Sequence, residues 1–245
     1  MPNYRLTIQY DGGRYKGWQK LGNDENTIQG KLEKVITQLV GKDTEITGCS
    51  RTDAGVHALH QVANFKTDKY FTEKEIKDYF IRYLPKDISV TNVEIVHDRF
   101  HARYNAKSKT YLYKIWNREY PNPFMRKYSM HVEKKLNLEE MRNAGRFFLG
   151  EHDFTAYSNA KSKKKSMVRK IFSVEINEED GFVNIRICGD GFLYNMMRKM
   201  VGTLIEVGLG LKKAEDIPAI IESKERKETG LMAEACGLYL EQIEY

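Results

Sequence analysis

Gly48-Cys49-Ser50-Arg51-Thr52-Asp53-Ala54-Gly55-Val56-His57 runs directly into Ala58-Leu59-His60-Gln61-Val62-Ala63-Asn64-Phe65. The first part has little hydrophobic periodicity and sets an Arg, a Thr, an Asp and a His among glycines. Glycine allows backbone shapes that other residues resist and lets another molecule approach the chain closely. Ser, Thr and Asp side chains bond nearby backbone groups and so fix a loop. Two readings follow: a rigid catalytic loop that presents Asp53, or a surface turn with Arg51 and Asp53 in solvent, where such residues usually lie. The stretch from Gln61 to Thr67 reads as a strand, which places the loop at a strand's head.

Upstream, Tyr4-Arg5-Leu6-Thr7-Ile8-Gln9-Tyr10 alternates as a strand does, and Asp11-Gly12-Gly13 turns the chain. Arg14-Tyr15-Lys16-Gly17-Trp18-Gln19-Lys20 interleaves cations with rings, a texture suited to phosphates and bases; alternatively the rings fold into the core. Thr27 is an expected N-cap for a helix to about Val40, with Ile28, Leu32, Val35, Ile36 and Leu39 on one face and Gly41 ending it. Glu45-Ile46-Thr47 is read as a short strand. Downstream, Thr72 caps a second helix carrying Ile76, Tyr79, Phe80 and Tyr83. Pro85 closes it, and Ile88 to Val96 returns as a strand.

A second round of the same texture begins at Thr110-Tyr111-Leu112-Tyr113-Lys114-Ile115-Trp116. A helix from Leu138 to Phe148, strands from Arg169 to Ile176 and Phe182 to Cys188, a helix from Phe192 to Gly208 and a last strand from Gly237 to Tyr245 follow. Two rounds of similar element order predict an α+β protein of two halves, residues 1–105 and 106–245, with the boundary between Tyr104 and Lys109.

The chain has 245 residues, 41% of them hydrophobic, enough for a real core. No apolar run reaches the length of a membrane span. Met1-Pro2-Asn3-Tyr4-Arg5 carries no apolar signal region, so a cytoplasmic location is the expectation. Cys49, Cys188 and Cys236 are widely spaced and odd in number, which argues against a disulfide framework or a zinc site. His57 and His60, three residues apart, have no evident third ligand nearby. No phosphate loop, dinucleotide fingerprint or metal-cluster motif stands out. The net charge of +6 favours phosphate-rich partners without naming one. Lys161, Lys163, Lys164, Lys165, Arg169 and Lys170 fall together in a serine-containing loop, read either as a solvated charge run or as a grip on a nucleic-acid backbone. In the late helix, Phe192-Leu193-Tyr194-Asn195-Met196-Met197-Arg198-Lys199-Met200-Val201-Gly202, apolar residues lie nearly all round. Arg198 must then either snorkel to the surface or meet an anion.

The loop at 48–57 resembles the signature of the TruA family of tRNA pseudouridine synthases, Gly-x-x-Arg-Thr-Asp-x-Gly-Val-His, at every fixed position. Tyr10-Asp11-Gly12 with Gly17-Trp18-Gln19, the Lys-x-Tyr-x-Tyr run at Lys109 to Tyr113, Glu151-His152-Asp153-Phe154 and the Phe-Leu-x-x-Met-x-Arg run ending at Arg198 are similar to family segments, so the likeness spans nearly the whole chain. It implies a pseudouridine synthase fold: two RRM- or ferredoxin-like α/β halves whose antiparallel sheets join into one central sheet, with helices packed on it and the active cleft between the halves. It implies an isomerase that needs no cofactor and converts uridine to pseudouridine at positions 38, 39 and 40 of the tRNA anticodon stem-loop, working as a homodimer without membrane attachment.

By the same resemblance Asp53 is the catalytic nucleophile, attacking either the sugar or the base. Arg198 is its charged partner, and Tyr111 is the active-site ring that packs on the target base. An Arg beside a buried Asp keeps the carboxylate ionised, stays charged in the interior and grips it with two bonds. On composition alone Tyr113 could fill the place of Tyr111. Arg51 is expected to contact RNA and help hold the target nucleotide out of its stem, an extrusion that binding must offset. His57 either contacts RNA or fixes the loop. Arg14, Lys109, Lys163, Lys164, Lys165 and Arg169 complete the expected RNA contacts. Two departures stand out. Met232-Ala233-Glu234-Ala235-Cys236 replaces the family's Thr-Ala-Pro before Gly237-Leu238, and Lys109 stands where many relatives carry Arg. A pseudouridine synthase for ribosomal RNA, or a non-catalytic RNA-binding relative, remains the alternative; retention of Asp53, Tyr111 and Arg198 together weighs against the latter.

Overall fold

The computed structural model describes residues 1–22, 26–159 and 166–245. It divides into two compact units, residues 1–107 with 239–245, and residues 108–238. The fold is mixed α+β.

In the first unit β1 (Asn3–Tyr10) lies between β3 (His57–Lys66) and β4 (Ile88–Val96), antiparallel to both. β2 is only Thr47–Gly48, paired with β3. The expected strand at 45–47 is thus shorter and later, while β3 starts at His57 and draws the end of the signature stretch into the sheet. α1 (Ile28–Val40) and α2 (Glu73–Tyr83) are framed by the signals in the sequence. The Thr27 side chain accepts from the Gly30 N–H, and Gly41 closes α1 at φ 83°, a left-handed turn that glycine enters without strain. Thr72 and Glu75 form a capping box on α2. Tyr4, Leu6 and Ile8 of β1 and Ile28, Leu32 and Ile36 of α1 are buried.

The last strand, β10 (Leu238–Glu244), runs parallel to β3 with Tyr239 opposite His57. The first unit's sheet is therefore mixed, where the family resemblance implies antiparallel sheets. A strand that returns after residues 108–238 arrives through a long connection, and long connections permit parallel pairing where hairpins do not.

In the second unit the sheet order is β5 (Ser108–Trp116), β9 (Phe182–Gly189), β8 (Val168–Glu179), β7 (Gly150–Asp153), with β6 (Met130–His131) on β5. α3 (Leu138–Arg146) packs on β8 and against α4 (Met196–Gly208). α3 stops two residues short of the sequence reading, and α4 begins four residues late. Asn195 sits at φ 61°, so the chain turns left-handed there and Phe192 to Asn195 stay outside the helix. α5 (Asp216–Ser223) has no counterpart in the sequence reading. Its Ile217, Ile220 and Ile221 have helical spacing, but Pro218 reads as a breaker; within the first turn proline is tolerated, since that N–H has no partner in the helix anyway.

Candidate active site

The signature loop is held along both sides by its own unit. The Asp53 carbonyl accepts from the Val56 N–H at 3.2 Å, closing a turn in which Gly55 takes φ 81°. The Trp18 N–H donates to the Thr52 carbonyl at 3.0 Å, and the Tyr10 hydroxyl meets Thr52 Oγ1 at 2.7 Å. Gln61 spans the base of the loop: its amide donates to the Ser50 carbonyl at 2.7 Å and its carbonyl accepts from the Ser50 N–H at 3.2 Å. Glycine is required where the strand-1 turn meets this loop. A Cβ on Gly12 would fall 1.9 Å from the Val56 carbonyl oxygen, and one on Gly17 would fall 2.6 Å from that of Thr52. Asp53 itself is half-buried, between buried Thr52 and exposed Ala54. Arg51 is exposed.

His57 is 2% exposed, with its ring stacked on Tyr239 at 4.9 Å. Its Nδ1 lies 3.2 Å from the Gly12 N–H and 3.1 Å from Asp11 Oδ1. A ring buried this fully fits the loop-fixing alternative better than a direct contact with RNA. Arg14 is exposed and ion-paired to Asp87, its Nε donating at 3.0 Å. Tyr15 donates its hydroxyl to the same carboxylate at 2.6 Å, and Trp18 is buried. Both rings of the cation–aromatic run therefore fold inward. Burial alone would raise the Asp87 carboxyl; the bonds from Tyr15 and Arg14 outweigh it and hold the group below its ordinary value.

In the second unit Tyr111 is buried on β5, its ring edge-on to Phe192 with centroids 5.1 Å apart. Tyr113 is fully buried and its hydroxyl donates to the Glu234 carbonyl at 2.8 Å. Burial, then the nearby Cys236 and Glu234, raise its pKa well above the tyrosine range. The structure thus gives the two tyrosines different surroundings, which composition cannot. Lys109, opposite Gly189 on β9, and Arg169 are half-buried. Lys163, Lys164 and Lys165 lie outside the described residues.

Arg198 is half-buried on α4, and its Nε donates to the Ala233 carbonyl at 2.7 Å. The Ala233 N–H returns a bond to the Arg198 carbonyl at 3.1 Å. Glu234 and Cys236, residues of the departure from the family pattern, bond each other, Sγ to Oε2 at 3.4 Å. Burial, then Glu234, pushes the Cys236 thiol up to about 11, so it is neutral at pH 7. Sequence reading passed over Lys199, a buried cation next to Arg198. Its signal was a second charge on a helix apolar nearly all round.

A family model described as tRNA pseudouridine synthase matches residues 6–105 and 144–245. The chain is 66% identical over 245 residues, the whole of both proteins, to tRNA pseudouridine synthase A 2 of Bacillus anthracis. It is 46% identical over the same full length to tRNA pseudouridine synthase A of Acetivibrio thermocellus. This chain belongs to the tRNA pseudouridine synthase family. Tyr111 and Lys109 fall between the two matched stretches of the family model, although the full-length relatives span them. The solved structure of a Cbf5-Nop10-Gar1 complex aligns at a TM-score of 0.38 and 13% identity, over 84% of this chain and 45% of that one, a likeness too low to bear on the fold.

Proposed function

We propose that this protein is an isomerase that converts uridine to pseudouridine in tRNA, at positions 38, 39 and 40 of the anticodon stem-loop. The observation that supports the reading is Asp53, part-exposed on a loop whose flanks are bonded from three other segments, in a chain whose full-length relatives are named tRNA pseudouridine synthases; positions 38, 39 and 40 rest on the family resemblance. A loop immobilised on both sides holds a reacting carboxylate in place before substrate arrives, which lowers the entropic cost of reaching the transition state.

In the proposed reaction the N-glycosidic bond breaks, the freed uracil turns, and its C5 bonds to C1′ of the sugar. The proton lost from C5 is matched by one gained at N1, so the product is an isomer. Asp53 is the nucleophile, Arg198 the cation that keeps it ionised, and Tyr111 the ring that packs on the target base. These three roles rest on the family resemblance at Asp53, Tyr111 and Arg198. Arg51, with Arg14, Lys109, Arg169 and the lysines at 163–165, is assigned to the RNA backbone, where cations supply the salt-dependent share of affinity. His57 is assigned to the loop. Homodimer formation rests on the resemblance, and a cytoplasmic location is part of the same reading; among the described residues no helix is long and apolar enough to cross a membrane.

The test is a map of pseudouridine in total RNA from cells with and without this protein. Loss confined to tRNA positions 38–40 is expected. Unchanged tRNA, or loss confined to ribosomal RNA, would contradict the proposal.

A further inference from the structure

The segment from Arg226 to Ala233 lies along one stripe of α4. Gly230 donates its N–H to Thr203 Oγ1 at 3.0 Å, and Leu231 donates its own to Glu206 Oε1 at 2.8 Å. The approach is flush: a Cβ on Gly202 would fall 1.7 Å from the Leu231 carbonyl oxygen, and one on Gly230 would fall 2.7 Å from Thr203 Cα. Lys199, Gly202, Thr203 and Glu206 recur at helical spacing, so one face of α4 is given over to this strap.

Lys199 anchors its upstream end. The ammonium donates to Thr229 Oγ1 at 2.8 Å and reaches the Arg226 carbonyl at 3.4 Å. Neither acceptor is a carboxylate, and Lys199 is only 8% exposed. Burial, then the like charge of Arg226, holds its pKa below the usual lysine value. A methionine at this place on an apolar helix would be buried without that desolvation cost. A costly cation here therefore points to what its directed bonds hold in place. The downstream end of the strap is Ala233, fully buried and bonded to Arg198 in both directions. A guanidinium is planar, so one bond at Nε together with the helix backbone fixes the direction in which its remaining donors point.

We propose that Lys199 is a positioning residue for Arg198: its ammonium pins the 226–233 strap along α4, and the pinned strap, through the Ala233 carbonyl, sets the plane of the Arg198 guanidinium. The inference rests on the proposed role of Arg198 in the reaction. It extends that role to a neighbour that touches no reacting atom.

The experiment uses the full chain with Lys199→Met, Thr229→Val and Thr229→Ser, measuring turnover on tRNA and backbone hydrogen exchange. Lys199→Met and Thr229→Val should each lower kcat about tenfold with KM within about twofold, the split expected when only transition-state alignment is lost. Exchange at Gly230, Leu231 and Ala233 should quicken about tenfold, a signature of local opening, while the rest of the chain keeps its protection. Thr229→Ser, which keeps the hydroxyl, should retain wild-type kcat. Wild-type kcat and exchange in Lys199→Met, lost turnover with unchanged strap exchange, or loosening spread across the whole chain would each overturn the proposal. A wild-type protein that forms no pseudouridine would instead refute the function proposed above, and the exchange measurement would still decide whether Lys199 pins the strap.

Discussion

Gly17 shows how little slack the signature loop has. It sits at φ 94°, and a Cβ there would meet the Thr52 carbonyl oxygen at 2.6 Å and the Asp53 carbonyl carbon at 3.0 Å. Gly17→Ala adds left-handed strain to a backbone collision and should destabilise the protein by about 2 kcal/mol. Because the atoms it would push belong to Thr52, Asp53 and Ala54, turnover should also fall about tenfold at temperatures where the variant is still folded, the effect expected of misplacing the proposed nucleophile. Denaturant melts paired with an activity assay check this; a stability loss with full turnover would show that the loop tolerates the shift. The sequence makes Asp53 and its neighbours legible because Gly, Thr, Asp and His fall together in one short stretch. It leaves Tyr111 and Tyr113 equivalent, since both lie on the same strand and only tertiary packing distinguishes them. It also hides the burial of His57, which depends on Tyr239, far away in the chain.

Among the elements, those framed by local chemistry are readable in advance. Thr27, Gly41 and Thr72 act on backbone groups within a few residues, so α1 and α2 begin and end where the sequence indicates. The late start of α4 is a single left-handed residue, Asn195, within an apolar run whose periodicity suggests continuous helix. Glu45 and Ile46 miss the sheet because β2 is fixed by its partner on β3, a long-range pairing. Long-range ties also include Asp87, after α2, which holds the turn after β1 through Tyr15 and Arg14. A carboxyl held below its unfolded value of about 3.9 stabilises the fold above that pH and loses the contribution as pH falls through the folded value. Asp87→Asn should therefore cost about 1.5 kcal/mol at pH 7, the scale of a hydrogen bond to a charged group. The difference between wild type and variant should shrink as pH drops below about 4. Urea melts across that range check the sign; a gap that widens on acidification would contradict it.

For the molecule as a whole, the two-round element order and the α+β class follow from alternation and helical spacing, which are local patterns. The return of β10 to pair in parallel with β3 does not, because no short-range signal tells a strand which partner it will meet. The net charge of +6 is compatible with an RNA partner and identifies none. The specific reading comes from Asp53 and the family to which the chain belongs. The most direct measurement is single-turnover pseudouridine formation on tRNA by Asp53→Asn beside wild type, with tRNA affinity measured on both. The account predicts no product from the variant, with affinity within about threefold of wild type, because exchanging a carboxylate for an amide removes a nucleophile and little binding. Pseudouridine formed by Asp53→Asn at a rate near that of wild type would contradict it.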